Sequence, residues 1–429
     1  LSDGFDLAVR GGALVEGGRL VPRTIAVRGG RIAALVDPSS NLKAKETLDV
    51  PGCIVLPGLV DAHVHFREPG LTHKEDFESG TRAAALGGVT TVMVMPTDRP
   101  MTQTPEQFIE KRELAAGRVH VDFALQALLG PDLAHVGALA DLGAVSFEIF
   151  TGLIEQKIED HPRLVAALAA VRAAGAVAGV TPYDDRLAAA APSLPPEVEA
   201  SGVARAVAAH RAAGGRMHLR QISSAAGLEA MGAAAPGVTS EVTPHNLWLT
   251  GEALERHGAI AKVVPPLRPQ ADIDAVRAGL KAGRISIVAT DHAPHTPQEK
   301  AAGLERAPGG FPGVQTLLPL LLKLVETKVL SYADLLRVGC EMPARIFGLY
   351  PGKGALVEGA DADLAVVDPS RPMQIRDEDQ ASKARHTPFD GWTAPATLVM
   401  TLLRGQPIVR ESRLIGRPRG FHLKPRRMQ

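Results

Sequence analysis

Two histidines one residue apart, His63 and His65, close the apolar run of "LVDAHVHFREPG". Successive side chains of a strand point to opposite faces, so positions i and i+2 share one face. Two imidazoles presented together at a strand's end suit a divalent transition metal, zinc first. The segment "ATDHAPH" supplies a complement, with Asp291 directly after an apolar strand and then His292 and His295. A carboxylate in that place can bind metal and take a proton from an activated water. The plain alternatives are two polar residues satisfied in a loop and an aspartate capping the next helix. A further candidate is Glu148, alone inside the apolar "VSFEIF". A buried carboxylate without a partner is costly, so Glu148 needs a metal or a basic neighbour, Arg220 or a protonated histidine.

The elements that must position these groups follow an alternating pattern. "GCIVLPGLVDAHVHF", "GGVTTVMVMP", "VHVDFALQALLG", "GAVSFEIFTG", "GAVAGVTP", "GRMHLRQISS", "GVTSEVTPH" and "RISIVATDHAPH" each read as a buried strand running into a polar loop. Ala- and Leu-rich helices lie between them, with helical spacing at Leu164, Leu168 and Val171. That alternation predicts an α/β chain built on a (β/α)8 TIM barrel over 56–348, with reactive groups where strands meet their following loops. Residues 1–55 and 349–429 have short strands punctuated by Gly and Pro, including a two-residue hairpin at Gly29-Gly30. Both chain ends are expected to combine into one small β-sandwich. No internal repeat stands out.

Composition excludes several classes. Lys+Arg and Asp+Glu are equal at 47 each in 429 residues, so no overall field draws the chain to nucleic acid or membrane. The basic end, "RPRGFHLKPRRMQ", reads as a solvated tail. Cys53 and Cys340 lie far apart and suggest a reduced compartment rather than a disulfide framework. Charges such as Arg172 and Lys323 interrupt the apolar runs, and the opening residues lack the regions of a secretory signal. A cytoplasmic protein is the expectation.

Taken with "EVTPHNLWLT", "GGFPGVQTLLP" and "GADADLAVVD", these motifs give the chain a resemblance over nearly its whole length. It resembles the amidohydrolase superfamily, and within it the branch of dihydroorotases, hydantoinases and allantoinases. The resemblance implies hydrolysis of a small cyclic amide or ureide at a C–N bond by metal-activated water. It implies His63, His65 and Asp291 as metal ligands, with Asp291 also the base. Arg67 in "FREPG" would grip a substrate carboxylate and His295 would lie near the substrate. Assembly as a homodimer or homotetramer is common in such barrels.

Several positions depart from the family pattern. Glu148 stands where binuclear members carry a carboxylated lysine bridging two metals. Thr181 replaces a histidine of the fifth strand, Tyr183 its following glutamate, and Gln221 a histidine of the sixth. His218, three residues before Gln221, should face the other way. Thr97 and Val264 replace two asparagines that contact substrate in dihydroorotases. Neutral oxygen donors are poor zinc ligands beside imidazole, which predicts one zinc per chain at His63, His65 and Asp291, with Glu148 as a further ligand or as a structural partner. Three readings follow: a single-metal cyclic amidohydrolase with an altered substrate; a non-catalytic relative acting as a structural companion, for example of aspartate transcarbamoylase; and, more weakly, a single-metal deaminase.

Overall fold

The computed structural model describes residues 4–40, 42–233 and 235–427. Five strands open the chain: β1 (Phe5–Glu16), β2 (Arg19–Arg28), β3 (Arg31–Val36), β4 (Ala44–Asp49) and β5 (Ile54–Pro57). The β2–β3 turn is the expected hairpin. Arg28 pairs with Arg31, and Gly29 and Gly30 take φ of 59° and 77°, which only glycine adopts at little cost. One long strand, β1, pairs in parallel with β4 through its first half and with β5 near its end.

The barrel strands follow: β6 (Leu59–Val64), β7 (Val89–Val94), β8 (Asp122–Leu125), β9 (Ala127–Leu128), β10 (Phe147–Phe150), β11 (Val177–Thr181), β12 (Arg216–Leu219), β13 (Val238–Val242) and β14 (Ile287–Val288). Neighbours pair in parallel, and a parallel bridge between Val64 and His292 joins the first strand to the end of the last. β8 and β9 are one barrel strand interrupted at Gln126, whose Nε2 donates to the carbonyls of Ala62 and Met93. The eight strands read from the sequence are therefore all present. The helix His161–Ala173 buries Leu164, Leu168 and Val171, as their spacing predicts. Each such side chain stabilises the fold by about 1.5–3 kcal/mol through burial.

After the barrel come β15 (Leu364–Asp368), β16 (Met373–Gln374), β17 (Thr393–Ala394), β18 (Thr397–Leu403), β19 (Gln406–Arg410) and β20 (Arg413–Leu414). β15 runs antiparallel to both β5 and β18, so the two chain ends share one nine-stranded sheet, separate from the barrel. That sheet has its own core, including Leu7, Val27, Val55, Leu364 and Leu402. Buried Lys353 fastens it to the barrel, with Nζ 2.5 Å from Asp122 of β8, 2.9 Å from Asp361 and 2.7 Å from Asp363. The basic end differs from expectation. Gly420 donates its N–H to Val119 (2.9 Å) and Leu423 to Phe123 (2.7 Å), and the His422 ring lies 5.4 Å from that of Phe123. Apolar and aromatic residues interspersed among the basic ones let this segment dock along β8. Among the described residues, no helix is long and apolar enough to cross a membrane.

Candidate active site

His63 lies near the end of β6, and its neighbours stitch the first strand to the last. His65 donates its N–H to the carbonyl of His292 (2.7 Å), and His292 returns the bond to His63 (3.3 Å). Asp61, fully buried, accepts from the Thr290 N–H (3.0 Å), the Thr290 hydroxyl and the His63 N–H (3.3 Å). Burial pushes the Asp61 carboxyl up to about 6 against those bonds. This clamp sets the spacing of the two strands that carry the candidate ligands. Sequence reasoning overlooked it, although a third polar residue in "VDAHVH" was the signal.

The structure brings His63, His65 and Asp291 together, with their ligand atoms within 4.8 Å of one another. Asp291 Oδ1 lies 3.0 Å from His65 Nε2 and 3.4 Å from His63 Nε2. Both rings thus turn Nε2 toward one point and engage fixed partners through Nδ1. His63 Nδ1 is 2.5 Å from Glu241 Oε1, and His65 Nδ1 is 2.8 Å from Thr97 Oγ1. Burial raises the Asp291 pKa, but His63 and His65 outweigh it and hold the carboxyl below its ordinary value. For His63 burial disfavours the cation, yet Glu241 and Asp291 raise its pKa overall. Burial brings His65 down to about 4 despite its contact with Asp291. The backbone of Asp291 is left-handed at φ 48°, as is that of Arg67 at 60° and Gln221 at 52°. Such strain gathers where surrounding structure over-determines a residue's placement.

Glu148 is not part of this trio. Both of its oxygens are committed to Arg220, at 2.6 Å from Nη2 and 3.0 Å from Nε, and Ser146 Oγ donates to it at 2.7 Å. Of the two partners the sequence leaves open for Glu148, a metal or a basic neighbour, the contacts observed are with the basic one, Arg220. Arg220 and Glu148 are both fully buried, and Arg220 also donates to Glu241 (2.8 Å), the Ala62 carbonyl (3.2 Å) and Gln126. His218 of β12, two residues before Arg220, reaches Glu241 Oε2 at 3.1 Å rather than the point on which the trio converges. Gln221, with its left-handed backbone, donates through Nε2 to Asp291 Oδ2 (2.7 Å) and the Val264 carbonyl (3.2 Å). Thr181 Oγ1 is buried and has no hydrogen-bond partner among the described residues. Sequence reasoning missed Glu241, though a lone acid in "GVTSEVTPH" matches the signal that singled out Glu148.

At the mouth, His295 contacts Arg67, Lys74 and Gly309. Its Nε2 is 3.1 Å from the Gly309 carbonyl and its Nδ1 3.3 Å from Lys74 Nζ. Burial, then the charges of Arg67 and Lys74, push it down to about 3, so the ring is neutral. A neutral ring donating to Gly309 and accepting from Lys74 has no lone pair for Arg67, 3.4 Å from Nε2. Arg67 Nε is buried without a partner among the described residues, which leaves donors for an anion. Thr97 touches His65 rather than facing the mouth free, and Val264 is 38% exposed.

The donor set fits a divalent metal. Two Nε2 atoms and one carboxylate converge, and each imidazole is oriented by an oxygen on its other nitrogen, as metal-binding histidines are. Three protein ligands leave positions open, as catalytic sites require.

Comparison with known proteins agrees with this geometry. The amidohydrolase family model matches residues 54–408. An allantoinase of Rubrobacter xylanophilus is 36% identical across 99% of this chain and 98% of its own length. A dihydroorotase of Halobacterium salinarum is 41% identical across 82% of this chain and 86% of its own. Among solved structures, L-hydantoinase (dihydropyrimidinase) from Arthrobacter aurescens superposes with a TM-score of 0.92 at 29% identity, covering 98% of this chain and all of that one. With a barrel of this topology, a His-His-Asp trio at its strand ends and a family match spanning most of its length, the chain belongs to the amidohydrolase family.

Proposed function

We propose that this protein hydrolyses the C–N bond of a small cyclic amide or ureide with one divalent metal, zinc by ligand chemistry, held by His63, His65 and Asp291. The convergence of those three side chains on one point carries the reading. A metal there supplies Lewis acidity toward a water and the scissile carbonyl. Asp291, ionised at neutral pH because the two histidines lower its pKa, is the group that accepts the proton. Gln221 fixes its second oxygen and so its orientation. Glu241 and Thr97 keep each histidine's Nε2 directed inward. Arg67, with unspent donors at the mouth, holds an anionic substituent and orients the ring. The relatives named allantoinase and dihydroorotase and the structural neighbour named L-hydantoinase support a small cyclic amide or ureide as substrate, and the departures at Thr97 and Val264 argue against dihydroorotate. Turnover of a panel of hydantoins, dihydropyrimidines, allantoin and dihydroorotate, measured with metal-loaded and chelated protein, tests the reading. Chelator-sensitive ring opening of one of them supports it, and no turnover with bound metal refutes it.

A second reading, a non-catalytic relative serving as a structural companion, draws on one observation. Asp291 already accepts from Gln221 and contacts His65, so the centre is electrostatically satisfied with no metal. Failure to bind metal, together with no turnover, would select it.

A further inference from the structure

Arg220 is the most connected buried cation of the barrel interior, and its contacts converge on one candidate ligand. Nη1 donates to Glu241 Oε2, while the other oxygen of that carboxylate is 2.5 Å from His63 Nδ1. The same Nη1 donates to the carbonyl of Ala62, the residue directly before His63. Through Nε and Nη2 the guanidinium holds both oxygens of Glu148. One planar group therefore braces His63 from its ring side, through Glu241, and from its backbone side, through Ala62. Its charge is fixed: burial opposes it, but Glu148 and Glu241 raise its pKa above the ordinary value.

We propose that Arg220 is a positioning residue acting as an internal cation, which pairs with Glu148 and Glu241 and aims His63 Nε2 at the metal. The inference rests on the single-metal reading above. A guanidinium suits the task because its rigid fork serves two carboxylates and a carbonyl at once, which a lysine's point charge cannot do in one geometry. Glu148, in the place of a bridging group, becomes the counter-ion that holds the fork in register.

The test is calorimetric zinc titration of the full chain, read beside melting temperature. Wild type is compared with Arg220→Lys, Arg220→Ala and the paired exchange Glu148→Gln/Arg220→Met. The pair removes Arg220 together with the charge of Glu148 and leaves Glu241 its contacts with His63 and His218, so it should fold even where Arg220→Ala alone does not. Loss of an outer partner of a metal-binding histidine costs roughly 10–100-fold in metal affinity. Arg220 acts one contact removed from His63, through Glu241 and the Ala62 carbonyl, so a loss at the lower end of that range, about tenfold, is expected in the folded alanine and paired variants, with a smaller loss for lysine. Added guanidinium ion at millimolar concentration should recover part of the affinity of Arg220→Ala, and urea should not. Zinc affinity equal to wild type in a folded variant lacking the guanidinium overturns the inference and leaves the proposed function standing. A wild type that binds no zinc overturns both.

Discussion

Replacing Glu148 by glutamine separates a ligand role from a structural one. The carboxylate accepts three bonds, from Arg220 Nη2 and Ser146 at Oε1 and from Arg220 Nε at Oε2. Glutamine offers one oxygen, so in either orientation its amide NH2 faces a guanidinium N–H in a fully buried site. Arg220 retains Glu241, Ala62 and Gln126 but loses the charge of Glu148 and one of the two hydrogen bonds to it. Breaking a buried ion pair on one side costs about 3–5 kcal/mol. With an unfolding entropy of about 2.1 cal/mol/K per residue, 429 residues give roughly 0.9 kcal/mol/K, so the melting temperature should fall by about 3–6 °C. Zinc affinity should change less than the roughly tenfold expected on removing a ligand's own outer partner, because Glu148 touches none of the trio. Differential scanning calorimetry beside zinc titration reads both quantities. An unchanged melting temperature with a large loss of zinc affinity would refute the reasoning and restore Glu148 to the metal.

Other expectations follow from the same contacts. Dihydroorotate should be a poor substrate: two absent amide side chains, at Thr97 and Val264, each cost about 1–3 kcal/mol, or roughly 10²-fold or more together in kcat/KM, and steady-state rates matching an efficient dihydroorotase would contradict this. Gly179→Ala should destabilise by about 1–3 kcal/mol, because the new Cβ would lie 2.1 Å from Glu148 Oε1, whose carboxylate Arg220 pins in place; a melting curve unchanged from wild type would contradict it. His386 and His422 are both held near 4 by burial, so the unfolded chain binds more protons between that value and the ordinary 6.5. Stability should therefore be full above about pH 6.5 and fall as pH drops toward 4, by at most about 3 kcal/mol for each group, and His422→Gln should flatten part of that slope in urea titrations.

The strands and the trio were legible because their signals are local. Apolar runs ending in polar loops mark barrel strands, and the i, i+2 spacing of His63 and His65 declares a shared face. Gly29-Gly30 likewise carried its turn in two residues. What escaped depends on groups far apart in sequence. Glu148 and Arg220 lie 72 residues apart and Arg220 and Glu241 21, so the sequence could offer Arg220 only as one partner of Glu148 beside a metal, and it is the closed barrel that brings the three together. Thr97 stands at a position that contacts substrate in dihydroorotases, and its contact with His65 is set by how β7 runs into its loop. The docked C-terminal segment escaped because charge density at a chain end masks the aromatic and apolar residues at Phe421, His422 and Leu423 that pair with β8.

Metal content per chain tests the central claim most directly. Protein equilibrated with excess zinc and bicarbonate, then dialysed, should retain close to one zinc per chain by elemental analysis, and His63→Ala and Asp291→Asn should each retain far less. Close to two zinc ions per chain, or none in the wild type, would contradict the account.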